Sequence, residues 1–168
     1  MNAPLLARMR WQFVLGDDLF SEAIAWYGEG YGGYSHVDAL LPNGSLLGAR
    51  NDVVGGKPAG VQIRPPEYER WKRRAIVELA CTSIEFSLWQ GWLISQIGQK
   101  YDKAAILGFL TGKADHTDGY WICSALQTGA LEEVKRIPKL IVPPQQVTPN
   151  TLLVVLSALG AKVTIRNA

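Results

Sequence analysis

Tyr34-Ser35-His36-Val37-Asp38-Ala39-Leu40-Leu41-Pro42-Asn43-Gly44-Ser45-Leu46-Leu47-Gly48-Ala49 reads as a strand, a turn and a returning strand. Ser35–Leu41 is the first strand, Pro42-Asn43-Gly44 is the turn, and Ser45–Ala49 is the partner. Glycine and asparagine between two apolar runs are the short-range signature of a β-hairpin. Two strands joined so tightly must pair antiparallel, so the sheet of this protein is at least partly antiparallel.

The flanking sequence extends this reading. Upstream, Trp11, Phe13 and Leu15 alternate within Arg10–Leu15, which predicts a strand. Ser21 caps a short helix to about Tyr27, and Gly28–Tyr34 is a loop dense in glycine and tyrosine. Downstream, Gly55 and Gly56 mark a loop, and Val61–Arg64 is a short strand stopped by Pro65-Pro66. Arg74–Cys81 alternates as a strand. Thr82-Ser83-Ile84-Glu85 is a capping box that opens a helix to about Gln99, with Phe86, Trp89, Leu93 and Ile97 on its apolar side. Asp102–Leu110 predicts a short buried helix and Lys113–Gly119 a polar loop. Ile122–Val134 is helical, with Leu126, Ala130 and Val134 on one face. Thr148-Pro149 starts a last helix, with Thr as cap and Pro at its first position, that runs to Gly160 before a strand at Lys162–Ile165. Strands and helices mix without strict βαβ alternation. The expected class is α+β, an antiparallel sheet packed against helices, in a single domain over residues 1–168.

Composition narrows the functional classes. With 48% apolar and 19% charged residues in 168, the chain is ordinary globular protein, neither disordered nor membrane-like. Its apolar runs at Ala104–Leu110 and Leu152–Leu156 are too short to span a bilayer. Arg8 and Arg10 precede no long apolar segment, so no signal peptide is read and a cytoplasmic location is expected. The net charge is +2, and the one basic cluster, Arg70, Lys72, Arg73 and Arg74, is a solvated strand or loop edge rather than a nucleic-acid face. Two cysteines make no disulfide framework, and neither C-x-x-C nor H-E-x-x-H spacing occurs, so no metal and no cofactor are expected.

Three residues can carry chemistry. Cys123 stands at the start of a predicted helix, where exposed amides and the helix dipole favour the thiolate and can also hold an oxyanion. Most free cysteines are instead inert core residues. His36 begins the hairpin's first strand, and Asp38, two residues on, shares its face. A carboxylate so placed orients an imidazole and stabilises its charged form, although such a pair can equally be a surface ion pair. Other motifs fail their own requirements. Gly28, Gly30 and Gly33 fit G-x-G-x-x-G, but a helix precedes and a strand follows, the reverse of a nucleotide site. Asp115–Gly119 begins like a calcium loop whose twelfth position is Leu126, not Glu. His116 is read as a solvated loop histidine, Cys81 as a structural thiol, and Trp89 and Trp92 as core or partner-interface residues.

Tyr34-Ser35-His36-Val37 with Leu47-Gly48-Ala49-Arg50 resembles the histidine block of the circularly permuted papain-like hydrolases related to NlpC-type cell-wall peptidases. Trp121-Ile122-Cys123-Ser124-Ala125-Leu126 resembles their cysteine block, and histidine precedes cysteine in the chain, as in that group. Ser21–Trp26 and Tyr101-Asp102 also fit, so the resemblance spans roughly Trp11 to Leu131. It implies a thiol amidase or peptidase. Cys123 would be the nucleophile and His36 its base, acting on a peptide or small amide such as a cell-wall stem peptide, in a bacterial or phage setting. Ser35 and Trp121 flank the reactive pair and are candidate substrate contacts. Tyr31 and Tyr34 either line a cleft with them or pack the loop down.

The chain departs from the family in two places. The strand after the histidine, where a carboxylate is common, reads Leu46-Leu47-Gly48-Ala49. Asp38 is the replacement, with Asn51 and Asp52 as runners-up. Ala125 also stands where Glu is common. The departures leave two further readings open: a binding module that kept the cleft without turnover, and a structural part of an assembly such as a phage particle.

Overall fold

Met9, Trp11 and Phe13 alternate along one strand, and all three are fully buried. That stripe is the spine of the molecule. The computed structural model describes residues 6–16, 33–104 and 120–167. The predicted helix at Ser21–Tyr27, the glycine loop up to Gly32 with Tyr31, the Lys113–Gly119 loop with His116, and most of the predicted Asp102–Leu110 helix lie outside the described residues.

The strands are β1 (Leu6–Gly16), β2 (His36–Leu40), β3 (Leu46–Arg50), β4 (Gly60–Arg64), β5 (Trp71–Thr82) and, late in the chain, β8 (Lys162–Asn167). They form one sheet in the order β4-β3-β2-β1-β5-β8, antiparallel at every described pairing. The class is α+β. The predicted hairpin is β2–β3: Leu41 donates to Ser45 O, and Gly44 closes the turn at φ 85°, a conformation glycine adopts at no steric cost. β1 and β5 are longer than alternation alone suggests, because they pair with each other from Leu6↔Thr82 to Gly16↔Trp71.

Three helices occur among the described residues: α1 (Ser83–Ser95), α2 (Cys123–Glu133) and α3 (Pro149–Ala158). The capping box at α1 is complete, with Thr82 Oγ1 accepting from Glu85 N and Glu85 Oε2 accepting from Thr82 N. Thr148 caps α3, with Pro149 in its first turn. α1 ends at Ser95 rather than near Gln99. The chain turns through Gly98 at φ 91°, and Gly98 N and Gln99 O bond to Val61 on β4. Ile97, expected on the apolar helix side, is consequently past the helix and exposed. A pairing that periodicity did not suggest follows: β6 (Lys100–Tyr101) and β7 (Tyr120–Trp121) form a parallel two-stranded ribbon that delivers the chain into α2.

One face of the main sheet is apolar. Trp11, Phe13, Val37, Ala39, Leu47, Val77 and Leu79 pack there against Trp89 and Leu93 of α1, Leu126 and Ala130 of α2, and Leu152 and Leu156 of α3. Trp11 and Trp89 meet edge to face at 5.4 Å. Gln127 of α2 is buried in this core with both ends of its amide used, accepting from Trp11 Nε1 and donating to Leu47 O, each at 3.1 Å. It locks α2 to the sheet. No helix among the described residues is long and apolar enough to cross a membrane.

Candidate active site

His36 is the first residue of β2, and Asp38 follows on the same face. This is the face opposite the helices, and it is polar. The partner of Asp38 across the hairpin is a glycine, and that decides the local geometry. A Cβ on Gly48 would lie 1.7 Å from Asp38 Oδ1. Asp38 therefore folds over β3 into space that a side chain at position 48 would fill. From there its Oδ1 lies 2.9 Å from His36 Nε2.

Three further side chains close around the pair. The Tyr68 hydroxyl donates to Asp38 Oδ2 at 2.7 Å and lies 3.1 Å from His36 Nε2. Arg50, the last residue of β3, is gripped at two points by Asp52, at 2.8 and 3.0 Å, and also bonds Glu69 and approaches Tyr68. Arg64 is buried, donates to the carbonyls of Gly48, Pro58 and Gly60, and lies with Arg50 against the Tyr68 ring. The buried Arg64 and the half-buried Arg50 thus stand behind the buried Asp38 and the half-buried Glu69, which keeps the face close to charge balance.

The thiol of Cys123 completes the arrangement. Cys123 opens α2 and comes within hydrogen-bonding reach of the His36 ring. The cap position before it is Ile122, whose side chain makes no cap bond, so the helix's leading amides are not satisfied by a capping side chain. Burial by itself disfavours a charged His36. The charges of Asp38 and Cys123, and hydrogen bonds to both, outweigh it and push the His36 pKa up to about 10. Burial likewise opposes ionisation of Asp38, but His36, Tyr68 and Arg50 outweigh it and hold the carboxyl below its usual range. Burial, followed by the charges of Asp38 and Glu69, pushes Tyr68 well above an ordinary phenol, so its hydroxyl keeps its proton and remains a donor.

The structure separates the predicted site residues. Cys123, His36 and Asp38 are brought together. Ser35 is occupied in the sheet, its hydroxyl donating to Val14 O and accepting from Gly16 N. Tyr34 is buried with its ring edge-on to Phe13, and its amide donates to Asn150 Oδ1 at 2.8 Å. Of the two uses left open for Tyr34, its ring serves to pack the loop end down. Trp121 stacks edge-on with Trp92 at 5.5 Å and donates to Gln96, so it fastens β7 to α1. Asp52 acts on Arg50 rather than on His36, and Asn51 is exposed. Cys81 is a core thiol that burial pushes up in pKa.

Tyr68, Glu69 and Arg64 were invisible in the sequence. Tyr68 and Glu69 follow Pro65-Pro66 in a stretch with no periodicity to read, and Arg64 ends the predicted Val61–Arg64 strand, where nothing marks it for the site. Arg50 stood in the quoted histidine block without a role. His36, Asp38 and Glu69 bring donor atoms within 4.8 Å of one another, the one such group among the described residues that is close enough to share a metal ion. Arg50 and Tyr68 already bond the two carboxylates, which supplies the positive charge and donors an ion would bring. Compared with protein-family models, curated proteins and solved structures, the chain matches none of them.

Proposed function

We propose that this protein is a thiol hydrolase of the permuted papain-like kind, with Cys123 as nucleophile, His36 as its base and Asp38 orienting the imidazole. One observation carries the reading: a helix-initial thiol within reach of a histidine whose Nε2 is held by a buried carboxylate. With Nε2 facing Asp38 and Tyr68, Nδ1 is the ring nitrogen left to exchange a proton with the thiol. With its pKa raised to about 10, His36 already carries the thiol's proton at neutral pH, and the Cys123 thiolate it pairs with attacks the carbonyl carbon of an amide. The developing oxyanion is met by the leading amides of α2. The departing amine takes the proton from His36, leaving a thioester. Water then hydrolyses the thioester, with His36 again as base.

The substrate is a peptide or small amide, and cell-wall stem peptides are the class the family resemblance favours. A bacterial or phage setting accords with that resemblance. The competing reading, a binding module without turnover, drew its support from the missing carboxylate on β3. Asp38 lying over Gly48 supplies a carboxylate from β2 instead, which favours turnover.

The test is the rate of iodoacetamide labelling at Cys123 against pH, with His36→Ala beside the wild type. Labelling of Cys123 that depends on His36, and is slowed in the variant, is expected. An ordinary thiol titration, the same in both proteins, would return the chain to the binding reading.

A further inference from the structure

We propose that Tyr68 is a positioning residue for the His36–Cys123 pair, an inference that rests on the hydrolase reading and deepens it. Its hydroxyl holds the Asp38 carboxylate in the orientation that presents Oδ1 to His36 Nε2. An ionised carboxylate accepts and never donates, so the 2.7 Å bond to Asp38 Oδ2 must use the Tyr68 proton. The Tyr68 oxygen is then left as an acceptor. It lies 3.1 Å from His36 Nε2 and 3.5 Å from Arg50 Nη1. Nε2 therefore faces two acceptors, Asp38 Oδ1 and Tyr68 Oη. That environment requires a proton on Nε2 and disfavours a flipped ring, which would present a C–H to both oxygens.

Tyr68 is itself fixed. Arg50 and Arg64 lie 5.3 and 5.7 Å from its ring centre. Asp52 and Glu69 hold Arg50 in turn. The charged and titratable groups around Asp38 are thus His36 on its own strand, Arg50 from β3, and Tyr68 with Glu69 from the segment before β5. Cys123 reaches the other side of His36, with Tyr101 beyond it.

Tyr68→Phe keeps the ring and both cation contacts and removes one hydroxyl. The lost bond stabilised ionised Asp38, so Asp38 takes up a proton at higher pH and stops supporting His36. Site-resolved labelling of Cys123 by mass spectrometry is expected to show the acid limb of its pH profile moved up by half a unit or more. The plateau rate should fall three- to tenfold, with melting temperature little changed. A profile superimposable on the wild type overturns the proposal.

A second measurement reads the ring without thiol chemistry. In Cys123→Ala protein, nitrogen-15 NMR is expected to show a His36 Nε2 proton protected from exchange, and in Cys123→Ala/Tyr68→Phe that proton exchanges at least tenfold faster. If the wild type shows no histidine-dependent labelling, the hydrolase reading fails and the NMR comparison still decides Tyr68. An unchanged His36 signal in the double variant overturns the positioning role.

Discussion

Gly48 matters through the hydrogen atom it carries in place of a Cβ. Asp38 occupies that space, so Gly48→Ala must either displace Asp38 or push β3 away from β2. Overpacking of this kind costs about 1–3 kcal/mol. The variant is expected to lose at least tenfold in histidine-dependent labelling of Cys123, and labelling at the wild-type rate would refute the contact. The charge pair also has a pH signature. His36 has its pKa raised from 6.5 to about 10, so its interactions contribute fully below 6.5 and are lost as pH rises toward 10. Asp38 is lowered from 3.8, so its contribution is present above 3.8 and is lost as pH falls through the lower, folded value. Both act together between about pH 4 and 6.5. The difference in melting temperature between wild type and His36→Gln is expected to be largest in that window and to shrink toward pH 10. A difference independent of pH would count against the pair.

Each α-helix that bears on the site is placed by a small number of polar bonds whose loss has a calculable direction. Thr82→Ala removes one half of the capping box at α1, and the expected loss is about 1 kcal/mol in denaturant unfolding. Gln127 is the equivalent for α2. Its truncation to Ala orphans the buried Trp11 Nε1, at about 1–3 kcal/mol, while the Leu47 carbonyl keeps its strand partner Ala39. Because α2 carries Cys123 at its first position, Gln127→Ala is also expected to slow labelling at Cys123. Thr82→Ala acts on a helix remote from the thiol and should leave that rate alone. Equal labelling in the two variants would mean that α2 is not positioned through Gln127. Thr82-x-x-Glu85 could be recognised as a cap from the sequence because its residues lie three apart. The end of α1 could not, because Gly98 and Gln99 stop it by bonding to β4, far away in the chain.

Over the whole molecule, the sheet has two unlike faces. The apolar one is sealed by three helices, and two buried tryptophans meet in it. They differ in one respect: Trp11 Nε1 bonds Gln127, whereas Trp89 Nε1 is buried without a partner among the described residues. Trp11→Phe leaves the Gln127 oxygen unpaired, while Trp89→Phe removes an unpaired donor. Trp11→Phe is therefore expected to be the more destabilising by about 1–3 kcal/mol, and the reverse order in chemical unfolding would show that the hydrogen bond is not the difference. The other face holds the acids and guanidinium groups that surround His36. A sheet so divided places the helix-initial thiol at the start of β2, where one histidine can meet both the thiol and the polar face.

The sequence by itself determined the hairpin, the principal strands, the helix caps, and the residue types with reactive potential. These are local properties: alternation at period 2, helical spacing, and turn and cap residues a few positions apart. Asp38 belonged to that legible set, since two residues along a strand always share a face. Tertiary structure alone decided that Cys123 meets His36 across 87 residues, that Gly48 makes room for Asp38, and that Tyr68, Arg50 and Glu69 enclose the pair. Those contacts are fixed by strand register and by where helices land on the sheet. Such relations join residues far apart in the chain and leave no periodic trace within it.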